Sequence, residues 1–243
     1  PVSNYGKGEW SLGRLIAELA EIDDLKRIRY TTSYPADVDE DLINAHRQVS
    51  ALMPYLHLPV QSGSDRVLRA MNRRHSTDDY RRLVERLRAA RPDLAFSSDF
   101  IVGFPGEDER DFQKTLDLIE EIEFVGAYSF KYSQRPGTPA ANIEWQVDGS
   151  VKRQRLAVLQ ALINAQQLAF NKSCVGRRLD VLLDSSGRHQ GQLIGRSPFM
   201  QAVHVAAGDN LIGEILTLRI DQAHANSLAA TFCEDEHTER CIA

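Results

Sequence analysis

Apolar residues recur at helical spacing over 10–22, where Leu12, Leu15, Ile16 and Leu19 share a face and Ser11 stands in position to cap. Residues 27–32 alternate around Ile28 and Tyr30 and predict a strand, which Ser33-Tyr34-Pro35 breaks. A second helical stripe over 38–49 (Leu42, Ile43, Ala45, His46) follows Asp37, Asp39, Glu40 and Asp41, acids that suit the positive end of a helix dipole. A short apolar strand at 55–60 follows, then helices around 67–71 and over 77–90. The second of these carries Tyr80, Leu83, Val84 and Leu87 as one stripe. A strand at 95–102, a helix at 108–122 and a strand at 125–132 complete the series. Strands alternating with helices predict a parallel sheet with crossover helices.

Beyond residue 139 the pattern changes. A long amphipathic helix over 151–170 places Leu156, Leu159, Ile163 and Phe170 on one face. Short strands at 179–183, 191–194, 202–205, 213–220 and 227–232 then alternate with turn residues. They predict a small antiparallel β-barrel of the kind that binds oligonucleotides, a pattern that other small β modules share. The chain thus divides into an α/β domain over 1–150, a connecting helix over 151–175, a β-barrel over 176–233 and a flexible polar tail over 234–243.

The densest signal for chemistry is 98–107, Ser-Asp-Phe-Ile-Val-Gly-Phe-Pro-Gly-Glu. Phe100, Ile101 and Val102 form a continuous apolar run, as in a strand covered on both faces. Asp99 sits inside that run, where an unpaired carboxylate is costly. Gly103 and Gly106 permit close backbone approach, and Pro105 fixes a bend. An ordinary strand-to-helix turn with a satisfied Asp gives the same pattern. Each strand of the first domain ends in small polar residues or glycine: Thr32-Ser33, Gln61-Ser62-Gly63-Ser64, Gly103 to Gly106, and Tyr132 to Thr138. In a barrel-like parallel sheet such ends share one rim, where ligands bind. The Gln61-Ser62-Gly63 hydroxyl and amide groups suit a nucleoside, while Ser64 or Asp65 is placed to cap the next helix.

Charge narrows the partners. The net charge is −5, so no global field draws the chain to nucleic acid. Arginines crowd 66–91; those from Arg81 to Arg91 read as a solvated helix face, whereas Arg73 and Arg74 lie near a loop where they can reach an anion. Lys131 and Arg135 flank the last strand end, in a structural or an anion-binding role. Arg177 and Arg196 offer positive charge in the barrel, and Phe199 and His204 are stacking platforms or core. Cys174, Cys233 and Cys241 are scattered, with no disulfide, zinc or iron–sulfur spacing, which reads as reduced cytoplasmic thiols. No run approaches a membrane span. The chain opens at Pro1 rather than Met, which reads as a piece whose upstream part is missing.

Together these motifs resemble the methylthiotransferase family of radical S-adenosylmethionine (SAM) enzymes. Residues 55–65 (YLHLPVQSGSD), 98–107 and 129–140 (SFKYSQRPGTPA) are similar to its fourth, fifth and sixth barrel strands, and 176–232 to its RNA-binding TRAM domain. Gln61-Ser62-Gly63-Ser64 argues against the ribosomal-protein branch, and 129–138 favours the isopentenyl-adenosine tRNA branch over the threonylcarbamoyl one. The resemblance implies a fold of α/β class, a partial (βα)6 radical SAM-type parallel barrel contributing its last four strands, followed by a TRAM, OB-like β-barrel. It implies SAM held by Ser33, Gln61, Ser62, Gly63, Arg73 and Asp99, with Gly103 and Gly106 shaping the adenine-side loop. Lys131, Tyr132, Arg135, Arg177 and Arg196 are then the substrate-side residues. The family also carries two [4Fe-4S] clusters, whose ligand cysteines this sequence does not contain. The implied partners are tRNA and a sulfur or electron donor protein, with the chain a cytoplasmic monomer and no membrane. A ribosomal-protein methylthiotransferase and a non-catalytic RNA-binding fragment remain the alternatives.

Overall fold

Three strands, β1 (Tyr55–His57), β2 (Ala95–Val102) and β3 (Gly126–Lys131), pair in parallel in that order, with Leu56 opposite Phe96 and Asp99 opposite Tyr128. The computed structural model describes residues 10–31 and 34–233. The chain forms two compact units that divide after Ile163.

In the first unit, the helices start where the sequence supplies a side-chain oxygen. Ser11 caps α1 (Leu12–Ala20) and Asp39 caps α2 (Glu40–Gln48). Ser64, rather than Asp65, caps α3 (Asp65–Ala70). Reciprocal capping boxes, Ser76 with Asp79 and Asp108 with Asp111, open α4 (Thr77–Ala90) and α5 (Glu109–Ile122). Alternation on β2 sends Phe96, Phe100 and Val102 into the core beside Leu56, Leu58, Tyr80 and Phe124. The opposite face carries Ser97, Asp99 and Ile101.

Among the described residues 27–31 the expected strand does not form: Ile28 makes an isolated bridge to Leu52, and a strand without a continuous partner has no ladder to hold it. β1 is also shorter than 55–60, for a visible reason. Leu58 N–H still donates to Ser97 C=O (2.8 Å), but beyond it the Ser98 hydroxyl takes the place of ladder partners, accepting from Val60 N–H (3.0 Å) and donating to Leu58 C=O (3.0 Å). The ladder resumes at Gln61, whose N–H donates to Asp99 C=O at 2.9 Å.

The helix α6 (Gly149–Ser173) spans the division between the units. In the second unit β4 (Arg178–Ser186), β5 (Gln192–Arg196), β6 (Ala202–Ala206), β7 (Ile215–Ala223) and β8 (Ser227–Phe232) close into a barrel in the order β4-β5-β6-β8-β7. The expectation of a wholly antiparallel barrel needs one correction: β6 pairs β8 in parallel. Closure demands a neighbour for every edge, and here it joins two strands running the same way. Val181, Leu183, Leu193, Val203, Leu218, Ile220 and Leu228 fill the interior on alternate positions. Among the described residues, no helix is long and apolar enough to cross a membrane.

Gly63 fixes how closely the loop after β1 can lie on α5. A Cβ there would stand 2.2 Å from the Lys114 carbonyl oxygen. We expect Gly63→Ala to destabilise the first unit by about 1–3 kcal/mol, through forced displacement of packed backbone. Denaturant unfolding of the two proteins checks this, and an unchanged midpoint would show that α5 yields freely.

Candidate functional site

The carboxyl ends of the three strands open onto a hollow of about 800 Å³. Its floor is apolar: Ala70 and Met71 at the end of α3, Ile101 on β2, Phe104 in the following turn and Phe130 on β3. Pro139 and Ala140 form a further wall. Polar groups enter from Gln61, Asn72, Arg73, Lys131, Tyr132, Ser133, Arg135 and Thr138. Three of the four strand ends singled out in the sequence therefore meet at one place. The fourth, Thr32-Ser33, lies outside the described residues, and Ser33 with it.

Two residues at the hollow hold unusual backbone conformations. Gln61 has φ 78°, at the point where the chain leaves β1 and crosses the sheet end. Asn72 has φ 58°, a left-handed conformation that Asn tolerates, directly after the short helix α3. Tyr132 packs edge-on to Phe104 (ring centroids 5.1 Å apart) beneath the Lys152 ammonium, 5.2 Å from its ring centre. Its hydroxyl is buried and has no hydrogen-bond partner among the described residues. Arg73 lies over the Tyr34 ring at 5.8 Å.

The turn after β2 is held from behind. Gly103, at φ +69°, donates its N–H to Glu107 Oε1 at 2.8 Å. Arg155 on α6 donates to the same oxygen at 2.8 Å, with both side chains almost fully buried. Burial pushes the Glu107 carboxyl up, while the Gly103 amide and the Arg155 guanidinium pull it back. Arg66 ties the other end of the turn, donating to Gly106 C=O at 2.6 Å and pairing with Asp111. Gly103 and Gly106 thus shape the turn without lining the hollow.

Ser62 and Gly63 do not line it either. The Ser62 hydroxyl is 3.4 Å from that of Thr115, and Gly63 donates its N–H to the same Thr115 oxygen at 2.9 Å, so both face α5. Asp99 lies on the same sheet face as Ile101, one alternation earlier, with its Oδ1 3.5 Å from His57 Nε2. Several arginines read as a solvated face are paired instead. Arg81 binds Glu121 (2.7 Å), Arg86 binds Glu40, Arg88 donates to Ile122 C=O (2.5 Å) and Arg91 to Leu52 C=O. They clamp α4 to its neighbours.

In the barrel, Arg177 lies over the Phe199 ring at 5.4 Å and Arg196 is 3.6 Å from Asp184. Phe199 is buried against Phe170, so it is core and not a stacking platform. His204 is held below its ordinary value by burial and by His224, Arg188 and His189.

Sequence reasoning did not single out Met71, Asn72, Phe130, Glu107, Arg155 or His57. For His57 the signal was present: it alternates with Tyr55 on a strand that pairs directly with the one bearing Asp99.

Residues 7–119 match the radical SAM superfamily, and residues 172–233 match the TRAM domain. A radical SAM segment followed by a TRAM domain fits the methylthiotransferase family. Among solved structures, the chain is similar to coproporphyrinogen III oxidase (HemN) from Escherichia coli, at 20% identity and TM-score 0.46 over 54% of this chain and 31% of that one. It is also similar to the methyltransferase TsrM from Kitasatospora setae, at 14% identity and TM-score 0.43 over 75% and 30%. Streptococcus suis SuiB matches at 12% identity and TM-score 0.43 over 68% and 34%. The chain thus spans about a third of the length of these proteins.

An iron–sulfur cluster needs thiolate ligands in reach of one another. Among the described residues, no group of three or more His, Cys, Asp and Glu side chains is placed to hold a metal ion. Cys174 and Cys233 are free and buried in the second unit, and Cys241 lies outside the described residues. The residues described do not fit a cluster. The hollow, by contrast, suits a nucleoside-type ligand: it offers aromatic walls and amide groups at Gln61 and Asn72.

Proposed function

We propose that this chain supplies the SAM- and RNA-facing surfaces of a radical SAM methylthiotransferase. The reaction is that of a tRNA-2-methylthio-N6-dimethylallyladenosine synthase, which adds a 2-methylthio group to N6-isopentenyladenosine beside the anticodon. The observation that carries this reading is the hollow itself, an apolar floor under a cationic rim. An isopentenyl group is branched and apolar, and Met71, Ile101, Phe104 and Phe130 give it matching surface. Arg73, Lys131 and Arg135 carry the positive charge that flanking phosphates require.

SAM, when bound, supplies the methyl and adenosyl groups of the reaction. In this reading Gln61 and Asp99 are its polar contacts, and the TRAM barrel grips the tRNA through residues that include Arg177 and Arg196. A sulfur or electron donor protein and a cytoplasmic location complete it.

Fluorescence anisotropy with anticodon stem-loops tests the reading. The isopentenylated RNA should bind this chain more tightly than the same RNA unmodified. Replacing both Lys131 and Arg135 by alanine should weaken both RNAs by about tenfold, since each lost phosphate contact also removes counterion release. Phe130→Ala should remove the preference while leaving the weaker binding. Equal affinity for the two RNAs would reject the isopentenyl assignment, and tighter binding of a ribosomal protein would favour the other branch. RNA binding without any SAM binding would favour a non-catalytic RNA-binding role.

A further inference from the structure

The face of the sheet that leads up to the hollow carries an ordered row of polar side chains. Tyr55 and His57 on β1 share that face with Ser97 and Asp99 on β2, since His57 pairs with Ser97 in register. The Tyr55 hydroxyl donates to Ser97 Oγ at 2.7 Å. Ser97 Oγ lies 2.9 Å from His57 Nδ1, and His57 Nε2 lies 3.5 Å from Asp99 Oδ1. Tyr128, opposite Asp99 in the ladder, packs edge-on to the imidazole with centroids 6.0 Å apart. The His57 and Asp99 side chains are 16% and 27% exposed, so the row is sheltered but opens at its Asp99 end.

The Asp99 carboxylate fixes the direction of the row. Ser97 Oγ accepts from Tyr55 and keeps a proton that it can give to His57 Nδ1. The neutral imidazole then carries its proton on Nε2, facing the carboxylate, where the other tautomer would set a lone pair against a negative oxygen. Among the described residues, Asp99 Oδ2 has no partner.

We propose that His57, set in place by Ser97 and Tyr55, is the positioning residue for Asp99: it occupies Oδ1 and presents Oδ2 to a ligand that brings hydroxyl or ammonium donors. The ligand half of this rests on the reading that SAM binds along this face. His57 touches no ligand itself. It holds one rotamer of a half-buried carboxylate, which otherwise has the freedom of two torsions to lose on binding.

Calorimetric titration of the chain with SAM separates the two ideas, provided single and double substitutions are compared. Asp99→Asn should weaken binding by about tenfold, the loss of a charge-assisted hydrogen bond. His57→Phe, which keeps a ring against Tyr128, should weaken it by several-fold, and His57→Gln, which restores a donor, should recover part of the loss. The His57→Phe/Asp99→Asn double variant should bind no more weakly than Asp99→Asn alone, because the histidine acts only through the carboxylate. Additive losses, or a His57→Phe variant that binds normally while Asp99→Asn does not, would overturn the positioning role. Normal binding by Asp99→Asn, or no SAM binding by the unsubstituted chain, would instead overturn the reading on which the ligand half rests. Nitrogen-15 spectra of the unsubstituted chain need no variant to fold: they should show the His57 Nε2–H tautomer, and the Nδ1–H tautomer would overturn the row.

Discussion

Replacing Arg155 by methionine should destabilise the first unit by about 3–5 kcal/mol, the usual cost of leaving one member of a buried ion pair without its partner. Methionine keeps much of the arginine stem's packing, and the stem matters here because the guanidinium carbon lies 5.4 Å from the centre of the Phe112 ring. What is lost is the charge opposite Glu107, whose side chain is 2% exposed. The carboxyl, already pushed up by burial, must then take a proton or draw in water. Either response weakens its hold on the Gly103 N–H and frees the turn that carries Phe104 into the hollow. The same substitution should therefore lower ligand affinity at the hollow as well as stability. Adding Glu107→Gln to Arg155→Met should return part of the stability, because a neutral amide costs less to bury and its oxygen still accepts from Gly103. Hydrogen exchange of α5 amides, with urea unfolding followed by circular dichroism, measures both variants. A single variant as stable as the parent would show that the pair is hydrated in solution and does not clamp the turn.

What the sequence made legible follows from the range of the forces involved. The bounds of α4 and β2 match the residues read from pattern, 77–90 and 95–102, because a local capping box sets the first, and the apolar run Phe100-Ile101-Val102 closing at Gly103 marks the end of the second. The strand over 27–32 failed among its described residues because alternation says only that one side is apolar; Ile28 makes an isolated bridge to Leu52 and no ladder follows. The parallel β6–β8 pair was invisible for a related reason: periodicity locates strands but not the order in which they close. At the site, the glycine-rich strand ends were legible as a shared rim, and Gln61, Arg73, Lys131, Tyr132 and Arg135 do meet there. Ser62 and Gly63 share their motif but turn to α5, a choice made by Thr115, more than fifty residues away. Glu107 and Arg155 are 48 residues apart, and His57 and Ser97 are 40 apart. Each looks unremarkable in its own segment, and only the fold makes the pair.

Acidification should weaken the first unit well before its carboxylates titrate, and His46 is the main cause. Its ring is 2% exposed, shares a hydrogen bond with the Tyr30 hydroxyl at Nε2 (2.6 Å), and lies close enough to Arg91 to feel its charge. Burial first, and the arginine second, lower its pKa from the ordinary 6.5 to about 4. The unfolded chain thus binds a proton between those values that the folded chain refuses. Stability is complete above about pH 6.5 and declines as the pH falls towards about 4, below which both states are protonated and this contribution is spent. The difference of the two pKa values corresponds to about 3 kcal/mol across the window. His75, also lowered chiefly by burial, adds loss of the same sign. Glutamine at position 46 retains an acceptor for Tyr30 but cannot take a proton. His46→Gln should therefore lower stability at neutral pH, through imperfect packing, yet flatten its decline on acidification. Urea midpoints across this pH range decide the matter: parallel slopes for parent and variant would mean that the His46 ring gains a proton without unfolding, and that Tyr30 or water accommodates the charge inside the core.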